Sequence, residues 1–591
     1  MFRNTIFLFV AGLWLASCSE PAAIQGTPVT QQRLPRIDSM AQLPQPLEII
    51  DWRAMAVAYD STVYDFDAQG EYWPLIWMDS THKNFNQPTL GLYTAMGDAR
   101  QGLKNNKGMF HESLATMGGV LGATLVGIDK QRQDGMNYVG MLRNYFNKDN
   151  GWNIMMNNTA PEVALLGGGY GRDWWYDVYP NMLFYAIYDR YPNEAGFDTL
   201  ARRIAEQFYR ADSVLAGNYS HTFFDYARME PESNWICAQE DAAAGHAWVL
   251  YAAYRKFGDK RYLEAAQRAQ RALESQSENR FYEILMPYGA YTAARMNAEQ
   301  GTDFDVRKIL EWTFDGTSVC RKGWGVLVGQ WNGFDISGIV GSTVDHGGYG
   351  FLMNTFDTAI PLVPMVRYDP SYASAIGKWM LHAANAARLF YPQYMPAEHQ
   401  TIPQLAATTK GVIGYEGLVK ESTFDRYKHI PAPVAQGDGP NWVPGKNPEV
   451  SQFSVYGSAH AGVFGSIVQR TDVEGILQLD LLATDFFRDK AYPSYLCYNP
   501  YDESREVTVS LPFKSGEVDL YDAVEARFVA HNVSRKAKVK LPAAGAAVLV
   551  AVPAGAEIRQ EGGKLWAGDA VIDYRFDVPA ETSTTRTGAP Q

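Results

Sequence analysis

The sequence predicts a mainly α protein, about six helical hairpins closing into a ring, followed by a small antiparallel β-domain. Three observations predict it. Apolar residues recur at helical spacing in paired segments, glycine and aspartate punctuate those pairs, and after residue 395 short β-like runs replace the helical pattern. Amphipathic hairpins bury their stripes by closing on one another, though an irregular bundle or an open solenoid would bury the same stripes.

In chain order, Met1-Phe2-Arg3-Asn4 carries one positive charge, Ile6 to Leu15 is apolar, and Leu15-Ala16-Ser17-Cys18 closes the stretch with small residues. This is the layout of a signal peptide over residues 1–17. The ending Leu-Ala-Ser-Cys resembles a bacterial lipobox, which implies cleavage before Cys18, lipidation of that cysteine, and a cell-envelope location with membrane contact only through the anchor. Residues 18–45, rich in Pro, Gln, Thr and Ala, read as a flexible tether. The ring is expected over 46–395.

Its clearest hairpin runs from Gln239 to Phe257 and from Asp259 to Gln276. Glu240, Ala244, Ala247, Tyr251 and Tyr254 share one face, Gly258 ends the first helix, and Asp259 caps the second. Similar pairs are expected at Asn181–Tyr191 with Phe197–Leu215, at His111–Ile128 with Gly135–Phe146, at Gly350–Val366 with Ser371–Leu389, around Met286–Trp312, and before residue 106. Two long connections, Asn147–Tyr179 and Thr317–Tyr349, are rich in Gly, Asn and Trp; loops of this length in a compact domain are usually functional. In a helical ring the loops entering successive inner helices gather over one cleft. Residues 396–450 read as a Pro-rich connection, 451–579 as a β-sandwich with strands at Val507–Leu511, Val518–Tyr521, Ala537–Leu541 and Ala546–Val552, and 580–591 as a disordered tail.

Composition narrows the function. The chain has 52 Lys+Arg against 65 Asp+Glu, a net charge of −13, and no basic stripe, which excludes a nucleic-acid partner held through phosphates. With 15 Trp, 35 Tyr and 28 Phe, many beside Gly, Asn or Asp, the chain is rich in rings of the kind that stack on sugar faces. Beyond Cys18, the cysteines Cys237, Cys320 and Cys497 are odd in number and lack C-x-x-C spacing, so neither a zinc site nor a disulfide framework is expected. No metal or other cofactor is expected either.

The segment Tyr254-Arg255-Lys256-Phe257-Gly258-Asp259-Lys260-Arg261-Tyr262-Leu263 resembles the helix–Gly-Asp–helix units of bacterial (α/α)6-toroid carbohydrate-active enzymes. The stretch from Tyr498-Asn499-Pro500 to Pro553 is similar to the β-domain that follows such toroids. The resemblance implies a lipoprotein of a polysaccharide-degrading system, most often an inverting glycoside hydrolase and less often a lyase, acting on a polysaccharide or oligosaccharide. It carries over no catalytic residue.

Those must come from the residues themselves. A glycosidase needs one protonated and one ionised carboxyl, so acids in aromatic settings at helix starts are the candidates. Glu240 and Asp241 open the helix after Pro231-Glu232-Ser233-Asn234-Trp235, with Glu232 of second rank. Asp173 and Asp177 flank Trp174-Trp175-Tyr176. Asp345-His346-Gly347-Gly348-Tyr349 puts an acid beside an imidazole and supports either a general base or, with His346 or Tyr349 removing a proton, a lyase. Trp174, Trp175, Trp324, Trp331 and Tyr349 are candidate sugar-contacting rings. Arg172, Arg321 and Lys322 could meet a uronate carboxylate or a sulfate. A glycan-binding protein without catalysis is the third possibility. Gly167-Gly168-Gly169-Tyr170-Gly171 lacks the Lys-Ser/Thr of a phosphate loop, Gly457-Ser458-Ala459-His460-Ala461-Gly462 does not match a nucleophile elbow, and no His-Glu-x-x-His occurs.

Overall fold

A computed structural model of the chain describes residues 24–70, 73–79, 91–94, 112–148, 151–157, 173–437, 452–513 and 516–577. The helices that build the site are, in chain order, α1 (Trp52–Val63), α2 (Ser113–Leu125), α3 (Tyr138–Met141), α4 (Trp174–Arg190), α5 (Phe197–Leu215), α6 (Ala242–Phe257), α7 (Lys260–Ser275), α8 (Met286–Gln300), α9 (Val306–Phe314), α10 (Leu352–Asp357), α11 (Ala359–Tyr368), α12 (Ala373–Ala386), α13 (Val455–Ala459) and α14 (Ala461–Ile467). Helix α2 packs on α4, α4 on α6, α6 on α8 and α8 on α11; α10 packs on α13, and α13 and α14 return to α2. The contacts thus run in a cycle. Helices α1, α5, α7, α9 and α12 lie against its members.

Burial separates the two sets. In α6 every residue from Ala242 to Ala253 is buried, whereas α7 buries only Tyr262, Ala265, Ala266, Ala269, Gln270, Ala272 and Leu273. A helix covered on all sides needs no polar face, and one with a single apolar stripe faces water with the rest. Glycine closes the cycle: a Cβ on Gly122 would collide with the Ala459 carbonyl oxygen, and one on Gly462 with the carbonyl of Gly122. Only backbones stripped of side chains approach so closely.

The last members of the cycle correct the expected boundaries. Residues 455–467, assigned to the β-sandwich from sequence, are helical and wholly or nearly buried against α1 and α2. The stretch 396–450 is more than a connection. Its strands β4 (Gly417–Val419) and β5 (Val434–Gln436) extend an antiparallel sheet begun by β1 (Trp324–Val326), β2 (Val340–Ser342) and β3 (Tyr349–Phe351), in the order β5-β4-β3-β2-β1. The expected tether is also held from residue 24 onward. Gly26 and Val29 donate to the Ala526 and Val524 carbonyls at 2.8 and 2.7 Å, and Leu34, Ile37 and Met40 are buried, because these apolar side chains find a site on the helices and the C-terminal strands. The tail at 580–591 lies outside the described residues.

Beyond residue 467, β6 (Val468–Arg470), β7 (Leu477–Asp480), β8 (Ser494–Tyr498), β9 (Arg505–Ser510), β10 (Val518–Asp522), β11 (Arg527–Val533), β12 (Lys536–Leu541) and β13 (Ala546–Pro553) form two antiparallel layers. Six strands order as β6-β7-β8-β13-β10-β11, and β9 pairs with β12 as a ribbon. Strand β13 reads Ala-Ala-Val-Leu-Val-Ala-Val-Pro because both its faces are covered. Ala547, Leu549 and Ala551 join Val507, Val509 and Val539 of the ribbon in one apolar cluster, while Val548, Val550 and Val552 belong to the main core shared with the helices.

Candidate active site

Acids stand at the entrances of the cycle's helices. Glu112, Asp173 and Asp241 immediately precede α2, α4 and α6; Glu283 lies three residues before α8 and Asp345 seven before α10. A helix N-terminus carries partial positive charge, which favours an acid there whatever its role. Three of these acids, joined by Glu416, nevertheless share a further setting. Asp173, Glu283, Asp345 and Glu416 line one cavity of about 570 Å³, with Trp175, Tyr176, Tyr282, Arg321, Lys322 and Tyr456 among its other walls. That volume suits a small-molecule or sugar subsite.

Asp173 is 5% exposed, its Oδ1 has no hydrogen-bond partner among the described residues, and the Tyr282 hydroxyl donates to its carboxylate. Burial pushes its pKa up to about 7, the negative charge of Glu283 adds to the rise, and Arg321 and the Tyr282 hydrogen bond oppose it. Burial also raises the Tyr282 phenol, which keeps that hydroxyl a donor.

Glu283 is held from several sides. Its carboxylate is ion-paired to Arg321 and accepts from Asn354 Nδ2 at 3.2 Å; its backbone carbonyl accepts from Asn354 Nδ2 at 2.7 Å and from Trp324 Nε1 at 2.9 Å. Arg321 also donates to Asp345 Oδ2 at 3.3 Å and lies 3.6 Å above the Trp324 ring. Glu416 Oε1 accepts from the Tyr456 hydroxyl at 2.6 Å, and the Glu416 carbonyl accepts the Leu352 N–H that opens α10.

Of the residues singled out in the sequence, Asp173, Trp175, Arg321, Lys322 and Asp345 line the cavity. Others do not. Glu240 faces Arg280 at 3.9 Å, and Asp241 is fully buried behind the wall, where Oδ2 accepts the Tyr282 N–H at 3.0 Å and burial pushes its pKa up to about 7. Asp241 therefore positions Tyr282 and Glu283. Asp177 falls one helical turn below Asp173 and is buried in α4 away from the cavity. His346 and Tyr349 stand beside the site, their rings 5.9 Å apart, and neither lines it.

The expected sugar platforms change likewise. Trp174 is core, stacked on Tyr219 and Phe224. Trp324 is fully buried beneath Arg321, and Trp331 packs against Gly348. Trp175 does line the cavity, yet its ring lies 3.9 Å from that of Tyr176 and it is 4% exposed, so its contribution is the buried indole Nε1 donor, which has no partner among the described residues. Arg172 and Cys18 lie outside the described residues. Cys237 and Cys320, read from sequence as unconnected, form a disulfide across 83 residues because the loops before α6 and β1 meet beside the cavity, which Cys320 lines. Among the described residues no group of three or more His, Cys, Asp or Glu is disposed to hold a metal ion.

Glu283, Glu416, Tyr282 and Tyr456 were not read from the sequence as site residues. Phe281-Tyr282-Glu283 before α8 has the same pattern, an acid among rings at a helix start, that singled out Asp173.

No protein-family model matches the chain, and no curated protein matches it. Solved structures do. A GH127 beta-L-arabinofuranosidase from Geobacillus stearothermophilus T6 is 11% identical, with 89% of this chain and 85% of that one covered at a TM-score of 0.37. A second GH127 beta-arabinofuranosidase is 10% identical, covering 93% and 85% at 0.36. A variant of an unsaturated glucuronyl hydrolase from Streptococcus agalactiae is 11% identical, covering 74% and 96% at 0.34. These neighbours are carbohydrate-active enzymes. At such TM-scores none of them places a substrate or a residue role on this chain.

Proposed function

We propose that the protein is a glycoside hydrolase built on an (α/α)6 toroid, with Asp173 as general acid and Glu283 as its ionised partner. The observation that carries this is the pairing of two unlike carboxyls in one cavity: Asp173 is buried with a pKa near 7, and Glu283 is ion-paired to Arg321. Environments that push two neighbouring acids apart assign the donor and the acceptor. In this reading Asp173 protonates the leaving glycosidic oxygen as the bond to the anomeric carbon breaks. Glu283 takes a proton from the attacking water, the inverting course that the resemblance implies. Tyr282 orients Asp173, and Trp175 Nε1 supplies a donor for a sugar oxygen.

The lyase alternative gains nothing from the geometry. It would remove the proton with His346 or Tyr349, neither of which lines the cavity, and Arg321 is engaged by Glu283 and Asp345. An acidic substituent on the glycan would instead be met by Lys322 at the rim. A purely glycan-binding protein has no use for a buried proton donor beside an ion-paired carboxylate. We also propose an envelope location through lipidated Cys18, which the Cys237–Cys320 disulfide supports, since such bonds persist in oxidising compartments.

The test is a screen of the protein against plant, algal and host polysaccharides, read by new reducing ends and by ultraviolet absorbance. Hydrolysis gives reducing ends without the absorbance of an unsaturated uronic ring. Absorbing products would replace hydrolysis with elimination, and binding without products would leave only the glycan-binding role.

A further inference from the structure

Among the described residues only five large apolar side chains are exposed: Val57, Val214, Trp235, Val319 and Val344. Val57 and Val214 sit on the flanking helices α1 and α5. The other three belong to loops at, or disulfide-bonded to, the cavity. Val319 and Val344, 44% and 55% exposed, line it, and Trp235, 77% exposed, lies two residues before Cys237. Two trans peptides span at most about 7.6 Å between Cα atoms. Adding the 5.4 Å between the Cα atoms of Cys237 and Cys320 keeps Trp235 within about 13 Å of a cavity-lining residue.

The ring is exposed although its backbone is pinned. Thr222 Oγ1 accepts the Asn234 N–H at 3.3 Å and donates to the Ile236 carbonyl at 3.1 Å, on either side of Trp235. The Thr222 carbonyl in turn accepts the Trp174 N–H at 3.0 Å, one residue after Asp173. Trp235 is therefore tied to the site by the disulfide and by Thr222. An indole held in water on a fixed loop, beside a cavity with an apolar rim, is pre-organised to receive a flat partner.

We propose that Trp235 forms a second sugar subsite outside the cavity that Val319 and Val344 line, so that the substrate is a glycan chain of several units whose continuation stacks on the Trp235 ring as it leaves. This rests on the glycan reading of the cavity and goes beyond it, because a pocket-only enzyme would act equally well on a single glycosyl unit. The occupant is a sugar chain because the ring stands within about 13 Å of a residue of the cavity wall, measured between Cα atoms, and a single exposed indole is too small an apolar patch for a protein partner.

The experiment reads Trp235 directly. Every other tryptophan among the described residues is buried or partly buried, so acrylamide quenching that is lost in Trp235→Ala reports this ring. Neutral and uronate-containing oligosaccharides of one to six units, from the sources used in the cleavage screen, are titrated into wild type and Trp235→Ala. Protection that increases with chain length, together with a roughly tenfold weaker affinity of the variant for the longer chains and an unchanged affinity for a single unit, is expected. Two results overturn the subsite: no oligosaccharide shields the ring, or the variant binds long chains as tightly as wild type. Cleavage of short substrates alongside either result leaves the hydrolase standing without the subsite, whereas absence of both binding and cleavage removes both.

Discussion

Asp173→Asn separates the proposed chemistry from the scaffold with two readouts of opposite sign. Asparagine keeps the shape at the start of α4, where the Asp173 side chain makes no capping hydrogen bond, but it has no proton to give. Loss of a general acid lowers kcat by roughly 100-fold or more. Stability moves the other way. The native carboxyl titrates near 7 against a usual value of 3.8, a difference of about 3 units or about 4 kcal/mol. A carboxyl raised in the folded state contributes stability that is complete below the unfolded pKa and is lost as pH rises through about 7, because only the unfolded chain then releases its proton freely. The variant carries no such penalty. Urea midpoints of the two proteins should coincide near pH 4 and diverge up to pH 8, with the variant the more stable by at most about 4 kcal/mol. Wild-type kcat/KM should fall about tenfold per unit above pH 7. Parallel stability profiles, or a variant with full activity, would refute the assignment of Asp173 as a buried proton donor.

Three further outcomes test the surroundings. Glu283→Gln removes the ionised partner, so activity should fall by roughly 100-fold or more; because the Glu283 charge helps raise Asp173, the alkaline limb of the residual pH profile should also move to lower pH. Glu240→Gln, on a side chain facing Arg280 outside the cavity, should keep kcat and stability within about twofold in steady-state assays and equilibrium unfolding. Replacing Cys237 and Cys320 together by serine opens an 83-residue loop, worth about 4.5 kcal/mol in the chain-entropy picture; the urea midpoint should drop, with KM rising as Trp235 and Arg321 lose their common tie.

The fold was legible where helices face water. Stripes and caps located α5, α7 and the α6–α7 turn closely: Phe197–Leu215 appears as expected, Gly258 takes the left-handed conformation at φ 73°, and Asp259 accepts the Arg261 N–H. Strands of the ribbon were legible for the same reason, with β12 alternating exposed lysines and buried apolar residues. The fully enclosed helices hid. Helix α4 begins at Trp174, seven residues before its expected start at Asn181, because buried residues surround its axis and leave no stripe to read. Helices α13 and α14 are short, bear glycines and are nearly all buried, so neither periodicity nor length announced them.

The site was half legible, and the division has a physical cause. Asp173 and Asp345 drew notice because tryptophans, glycines and a histidine crowd them in sequence. Glu283 and Glu416 gain their meaning only from partners far along the chain: Arg321 and Asn354 for the first, Tyr456 for the second. Glu240 failed in the opposite way. A helical face shared with Ala244 and Ala247 points inward only once the helix is under way, and at the entrance the next residue, Asp241, takes the buried position while Glu240 turns to Arg280. An acid at the mouth of an inner helix therefore divides by a single position between wall and support. That is why Asp241→Asn, which can still accept the Tyr282 N–H through its amide oxygen, should spare kcat, while Asp241→Ala leaves that buried N–H unmet and costs about 1–3 kcal/mol of stability with a lower kcat. Equal activity of the alanine and asparagine variants would show that Tyr282 and Glu283 keep their places without it.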